Sequence, residues 1–123
     1  MSETKIEGIN IISFSDWSRL DLRVGKIIAV DSIEGADKLY KLSIDLGKEI
    51  GKRTLAAGIK QHYTKEELKN LPCIVFTNLE PKILRRIESK GMILAAVNET
   101  KDGKEVVRLL QPDSNIELGS RVR

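Results

Sequence analysis

Short stretches of this chain alternate apolar with polar residues. Leu20, Leu22 and Val24 are separated by Asp21 and Arg23, and Tyr40, Leu42, Ile44 and Leu46 by Lys41, Ser43 and Asp45. A period of two is that of a strand with one buried face. The first predicted strand meets Gly25 and resumes as Ile27-Ile28-Ala29-Val30, which predicts a bulge or sharp bend at the glycine. Further strands are predicted over 53–59, 73–79, 92–97 and 105–110. Asp102-Gly103 between the last two is a strong hairpin signal. Ser13-Phe14-Ser15-Asp16-Trp17 predicts a helical turn with Ser15 as N-cap and Phe14 and Trp17 as apolar anchors. Thr64-Lys65-Glu66-Glu67 reads as a capping box, opening a helix that Pro72 keeps short. Residues 1–12 read as a loosely held arm, and 13–123 as the folded domain.

Three strands, a short helix and two more strands make an all-β fold. That order is the order of the OB-fold, the five-stranded Greek-key oligonucleotide/oligosaccharide-binding barrel with its helix between strands three and four. The residues beyond the fifth strand predict a C-terminal β extension.

Composition narrows the chemistry. The 123 residues include 41% apolar and 32% charged, an ordinary globular balance for one domain. The only cysteine, Cys73, lies in an apolar run, so no intrachain disulfide can form. His62 is the only histidine, and no Cys-x-x-Cys, His-x-x-x-His, clustered carboxylate set, Walker loop or Gly-x-Gly-x-x-Gly occurs. No catalytic residue, metal or cofactor is therefore expected. No apolar run reaches membrane-spanning length and the start carries no secretory pattern, so a cytoplasmic location is expected by elimination.

The net charge of +3 is unevenly placed. Lys82, Arg85, Arg86 and Lys90 face a single acid, Glu88, between Lys82 and Met92. Such a run is either a solvated face or a contact surface for a polyanion.

Five stretches together settle which to expect. Asp21-Leu22-Arg23-Val24-Gly25-Lys26-Ile27, Ala36-Asp37-Lys38-Leu39-Tyr40, Ala57-Gly58-Ile59, Asn78-Leu79-Glu80-Pro81 running on to Glu88-Ser89-Lys90-Gly91-Met92, and Leu118-Gly119-Ser120-Arg121-Val122 occur in this order. In order and spacing they resemble the tRNA-binding domain appended to methionyl-tRNA synthetases, which also occurs as a free-standing structure-specific tRNA-binding protein. The resemblance implies an OB-fold homodimer that binds the outer corner of tRNA by shape, with the barrel face and the loop after the fourth strand in contact. It also implies partnership with the methionyl-tRNA synthetase catalytic subunit. The expected tRNA-binding residues are Asn78, Lys82, Arg85, Arg86, Ser89, Lys90 and Met92. Asn78 either contacts the RNA or caps the turn before Pro81; Ser89 offers a hydroxyl to phosphate or forms a local turn with Gly91; Met92 offers a soft surface to a base or joins the core.

Two departures bear on that loop. The family commonly has lysine directly before the Leu84 position, where this chain has Ile83, and glycine where Arg86 stands. The family's His-Pro before Ala36-Asp37 is replaced within Ile33-Glu34-Gly35. Aromatic residues, at 4%, are too scarce for a general single-strand binder that stacks bases. A peptide-binding, chaperone-like homodimer of the same fold is the alternative expectation.

Overall fold

Tyr40, Leu42 and Ile44 are buried while Lys41 is exposed and Ser43 half-buried, so the predicted alternation is realised in strand β2 (Tyr40–Asp45). The computed structural model describes residues 9–123, so residues 1–8 of the expected arm lie outside it. β2 pairs antiparallel with β1 (Leu22–Ser32) and β3 (Lys52–Ala57), and β1 pairs also with β4 (Pro72–Phe76). β4 in turn pairs with the short β7 (Met92–Ile93), giving the sheet order β3-β2-β1-β4-β7. The four-residue helix α2 (Gly47–Ile50) turns the chain from β2 into β3. The sheet curls into the nearly closed barrel of an OB-fold.

The helix expected between the third and fourth strands is α3 (Lys65–Leu68). Its capping box forms as read: the Thr64 hydroxyl accepts from the Glu67 amide at 3.1 Å, and the Glu67 carboxylate accepts from the Thr64 amide at 2.7 Å. Leu68 plugs the barrel beside Ile27, Leu42, Ile44, Leu46, Leu55, Cys73 and Val75, all essentially without exposure. Each of the Leu, Ile and Val side chains contributes about 1.5–3 kcal/mol by leaving water. Burial pushes the Cys73 thiol up to about 12, as an inert core group requires.

β1 buries both faces. Gly25 and Ile27 point into the barrel, while Leu22 and Val24 point outward and form a second cluster with Ile74. That outer cluster is covered by Trp17 of α1 (Phe14–Ser18) and by Leu118 and Val122 of the C-terminal extension, whose strand β10 (Arg121–Val122) pairs with Leu22 and Arg23. The extension thus has a physical reason: two apolar residues on the outside of β1 need a lid. The remaining extension is a hairpin of β8 (Ala95–Glu99) and β9 (Glu105–Leu109), turned through Asp102-Gly103 as expected.

Four local expectations are corrected. The β1 irregularity falls between Ile27 and Ala29, not at Gly25. Gly25 marks close packing instead, since a β-carbon there would lie 2.7 Å from the Ile44 Cγ2 atom and 2.9 Å from the Leu46 Cδ2 atom. Ser13, not Ser15, caps α1, because its hydroxyl reaches the Asp16 amide at 3.1 Å. Phe14 is exposed, leaving Trp17 as the anchor. The fifth predicted strand breaks at Leu94, whose amide donates to the Ile74 carbonyl while β8 departs to pair with β9.

Candidate nucleic-acid interface

The chain leaves β4 under tight control. The Thr77 amide donates to the Asp21 carbonyl at 2.8 Å, and the Thr77 hydroxyl donates to the Asp21 carboxylate. Asn78 follows, and both ends of its side chain are engaged: Oδ1 accepts from the Asp21 amide at 2.8 Å and Nδ2 donates to the Arg19 carbonyl at 2.7 Å. Asp21 also holds Arg23 at 2.8 Å and Arg121 at 3.6 Å, while Arg23 reaches Glu49 at 2.8 Å and the Gly119 carbonyl at 3.0 Å. Burial alone would raise the Asp21 pKa. The hydrogen bonds from Thr77 and Arg23, with the charges of Arg23 and Arg121, outweigh it and hold this carboxyl below its ordinary value. The hydrogen bonds from Asp21 and Glu49 raise the Arg23 pKa in return.

Beyond Pro81 the basic run folds into a hairpin of β5 (Lys82–Leu84) and β6 (Ile87–Ser89). Leu84 pairs with Ile87, so Arg85 and Arg86 are the whole turn, with φ of 50° and 71°. Positive φ at both central residues is the two-residue turn whose twist matches a hairpin. The turn normally selects glycine or asparagine, and here it displays two exposed guanidinium side chains at the hairpin tip. Lys82 and Lys90 are exposed at its base, where Lys90 approaches Glu88 at 3.9 Å. An exposed pair of this kind contributes little stability.

Ser89 is buried and closes the barrel. Its hydroxyl accepts from the Ala56 amide of β3 at 3.0 Å and donates to the Gly91 carbonyl at 3.1 Å, and the Lys90 amide donates to the Thr54 carbonyl at 3.0 Å. Where the sheet would otherwise part between β3 and the β6–β7 segment, a side chain supplies the missing acceptor. Met92 is 45% exposed while its neighbour Ile93 is buried, which puts the thioether on the surface beside the hairpin.

The structure therefore gathers Lys82, Arg85, Arg86, Lys90 and Met92 around one hairpin with accessible side chains. Asn78 and Ser89 occupy the same region with their polar atoms committed to the backbone. Three features escaped the sequence reading. Arg53 braces the site by donating to the Thr77 carbonyl at 2.6 Å. The Gly35–Leu39 loop, with Lys38, faces Arg85 across a cleft of about 420 Å³. A second cavity, of about 270 Å³, opens between the end of β3, Leu79, Leu84 and Met92. The Ala36-Asp37-Lys38 and Ala57-Gly58-Ile59 stretches were the available signal, since both border these clefts.

Among the described residues no group of three His, Cys, Asp or Glu residues is placed to hold a metal ion, and no helix is long and apolar enough to cross a membrane.

This chain is similar to known proteins in sequence and in structure. Methionine–tRNA ligase of Pyrococcus horikoshii is 53% identical over 112 residues, covering 91% of this chain and 14% of the ligase, so this chain spans a small fraction of that relative's length. The crystal structure of a MetRS related protein from Pyrococcus horikoshii superposes with a TM-score of 0.81 at 31% identity, covering 94% of this chain and all of that one. The CsaA chaperone protein from Picrophilus torridus superposes with a TM-score of 0.79 at 37% identity, covering 92% of this chain and all of that one. The family model for the tRNA binding domain matches residues 22–121, from the first residue of β1 to the first of β10, and by that match the chain belongs to the tRNA-binding domain family.

Proposed function

We propose that this chain is a structure-specific tRNA-binding module, non-catalytic by itself, which supplies tRNA to methionyl-tRNA synthetase as an accessory subunit or domain in the cytoplasm. The observation that carries the reading is the basic β5–β6 hairpin, set within a family match that covers nearly the whole chain. Lys82, Arg85, Arg86 and Lys90 contact phosphates, and Met92 meets a base. Asn78 and Ser89 serve the same site by fixing the hairpin's direction and its seam with β3. Binding through backbone and shape is the usual way folded RNA is recognised. Residues 13–123 form the binding unit, preceded by the arm 1–12.

The module acts as a homodimer in this reading. Ile9, Ile11, Ile12, Phe14, Leu110 and Ile116 are exposed, apolar side chains of the kind that a second copy would cover.

Likeness to a CsaA chaperone protein, with the apolar cavity beside Met92, favours one second reading, a peptide-binding homodimer. Titration of the protein with bulk tRNA and with an unfolded peptide, each at two salt concentrations, separates the two. The tRNA reading expects affinity for tRNA that falls steeply with salt. Tighter binding of the peptide, insensitive to salt, would overturn it in favour of the chaperone.

A further inference from the structure

The cavity between β3 and the β5–β6 hairpin is apolar for most of its wall, through Ile59, Leu79, Leu84, Met92, Ile93 and Ala95. Its volume of about 270 Å³ is just below that of a pocket for a drug-sized molecule, which suits a single planar base. The polar side chain of Ser89 also borders it but is spent on Ala56 and Gly91. Only two charged residues line it, Lys82 and Glu80. Lys82 belongs with the cations of the hairpin. Glu80 does not: it is exposed, it forms no ion pair among the described residues, and a carboxylate beside a surface built for phosphates repels them.

A carboxylate is an acceptor only, with two oxygens side by side. Guanine presents two adjacent donors on its Watson–Crick edge, the ring N–H and the amino group, whereas adenine, cytosine and uracil each present one donor group beside acceptors. We infer that this cavity takes one unstacked nucleobase of the bound RNA and that Glu80 makes it select guanine, a base-reading element within a site that otherwise reads shape. The apolar wall covers the base faces, Glu80 accepts from the base edge, and Lys82 holds the adjoining phosphate. The inference rests on the RNA-binding reading above.

The chain has two methionines, Met1 and Met92, so the Met92 methyl group is a resolvable NMR reporter at the cavity wall. The full chain, labelled at its methionine methyls, is titrated with the trinucleotides UGU, UAU, UCU and UUU, and with bulk tRNA. UGU is expected to move the Met92 signal at a concentration at least about fivefold lower than the other three. Glu80→Gln, which places a donor where an acceptor stood, should erase that preference while tRNA binding remains sensitive to salt. Equal responses to all four trinucleotides, or a guanine preference that survives Glu80→Gln, would overturn the base-reading role while salt-sensitive tRNA binding stands. A Met92 signal that answers an unfolded peptide and no RNA would overturn both, because tRNA binding would then be absent as well.

Discussion

Gly47 and Gly119 hold their backbones against one another, each with a positive φ, 87° and 91°. A β-carbon on Gly119 would lie 2.8 Å from the Leu46 carbonyl oxygen and 3.8 Å from the Gly47 Cα, and one on Gly47 would run into the Leu118 carbonyl. This contact presses the C-terminal extension onto the turn after β2, where the Gly119 amide donates to the Val24 carbonyl at 2.8 Å. Gly119→Ala combines backbone strain with a collision against main chain, and should cost at least about 2 kcal/mol in urea unfolding. Hydrogen exchange at the Val24 amide, which donates to Ser120, should quicken in the same variant. An unchanged urea midpoint would show that the extension is not held there.

Asp21 gives stability an acid limb. Its carboxyl lies below the ordinary value in the folded protein, so its contribution is complete above the unfolded value of about 3.9 and is lost as pH falls through the folded one. The wild type should lose stability between pH 5 and pH 2 more steeply than Asp21→Asn, which starts lower at pH 6. Parallel losses in the two proteins would remove Asp21 as the cause.

Ser89→Ala leaves the Ala56 amide without its acceptor in a part-buried setting and should cost about 1–3 kcal/mol. Asn78→Ala releases the Asp21 amide and Arg19 carbonyl to solvent and should cost less, about 0.5–1.5 kcal/mol. Both should weaken tRNA binding with the salt slope intact, since neither removes a charge. A tRNA affinity lowered in either variant with stability unchanged would instead mark a direct contact.

Replacing Arg85 and Arg86 together by alanine should lower the slope of log affinity against log salt by about one to two. Arg86→Gly separates fold from function. Relief of the left-handed conformation at φ 71° should stabilise the hairpin by up to about 1 kcal/mol, while the lost charge still lowers the slope by about one. A double-alanine variant with wild-type affinity and slope would remove the hairpin tip from the interface.

Sedimentation at micromolar concentration should report a dimer rather than a 13.8 kDa monomer, with a total interface of at least about 1,000 Å². Phe14→Asp and Ile116→Asp, both at exposed positions, should shift it to monomer without unfolding it.

What the sequence disclosed was mostly local. The alternation of β2, the Thr64–Glu67 capping box and the Asp102-Gly103 hairpin each arise from residues a few positions apart, so pattern alone finds them. The burial of Cys73 in its apolar run and the clustering of basic residues between Lys82 and Lys90 were legible in the same way. The β5–β6 pairing was not, because Arg85 and Arg86 carry none of the glycine or asparagine that announces a turn with positive φ. Gly25 carries a mark that two geometries share: a close approach by Ile44 and Leu46, at the end of β2 and just beyond it, leaves the same trace in sequence as a bulge. The local turn from Ser89 to Gly91 is legible and forms, whereas the partnership of Ser89 with Ala56 spans 33 residues, beyond any local pattern. The apolar cavity beside Met92 is likewise assembled from separate stretches of chain, 56–59, 79–84 and 89–95.

β1 is the common partner of β2, β4 and β10, which ties the order of folding to the last residues of the fold. The Arg121 guanidinium reaches the Ser18 carbonyl across 103 residues of sequence, and Asp21 cannot gather both of its arginines until that loop has closed. Closing a loop of this span costs entropy before its own contacts form, which makes this pairing slow beside the local pairings of β1, β2 and β3. A chain still being synthesised can assemble the β1–β2–β3 meander early. It cannot cover Leu22 and Val24 until Leu118 and Val122 have emerged, so the outer face of its first strand remains adhesive until synthesis has reached the far end of the fold.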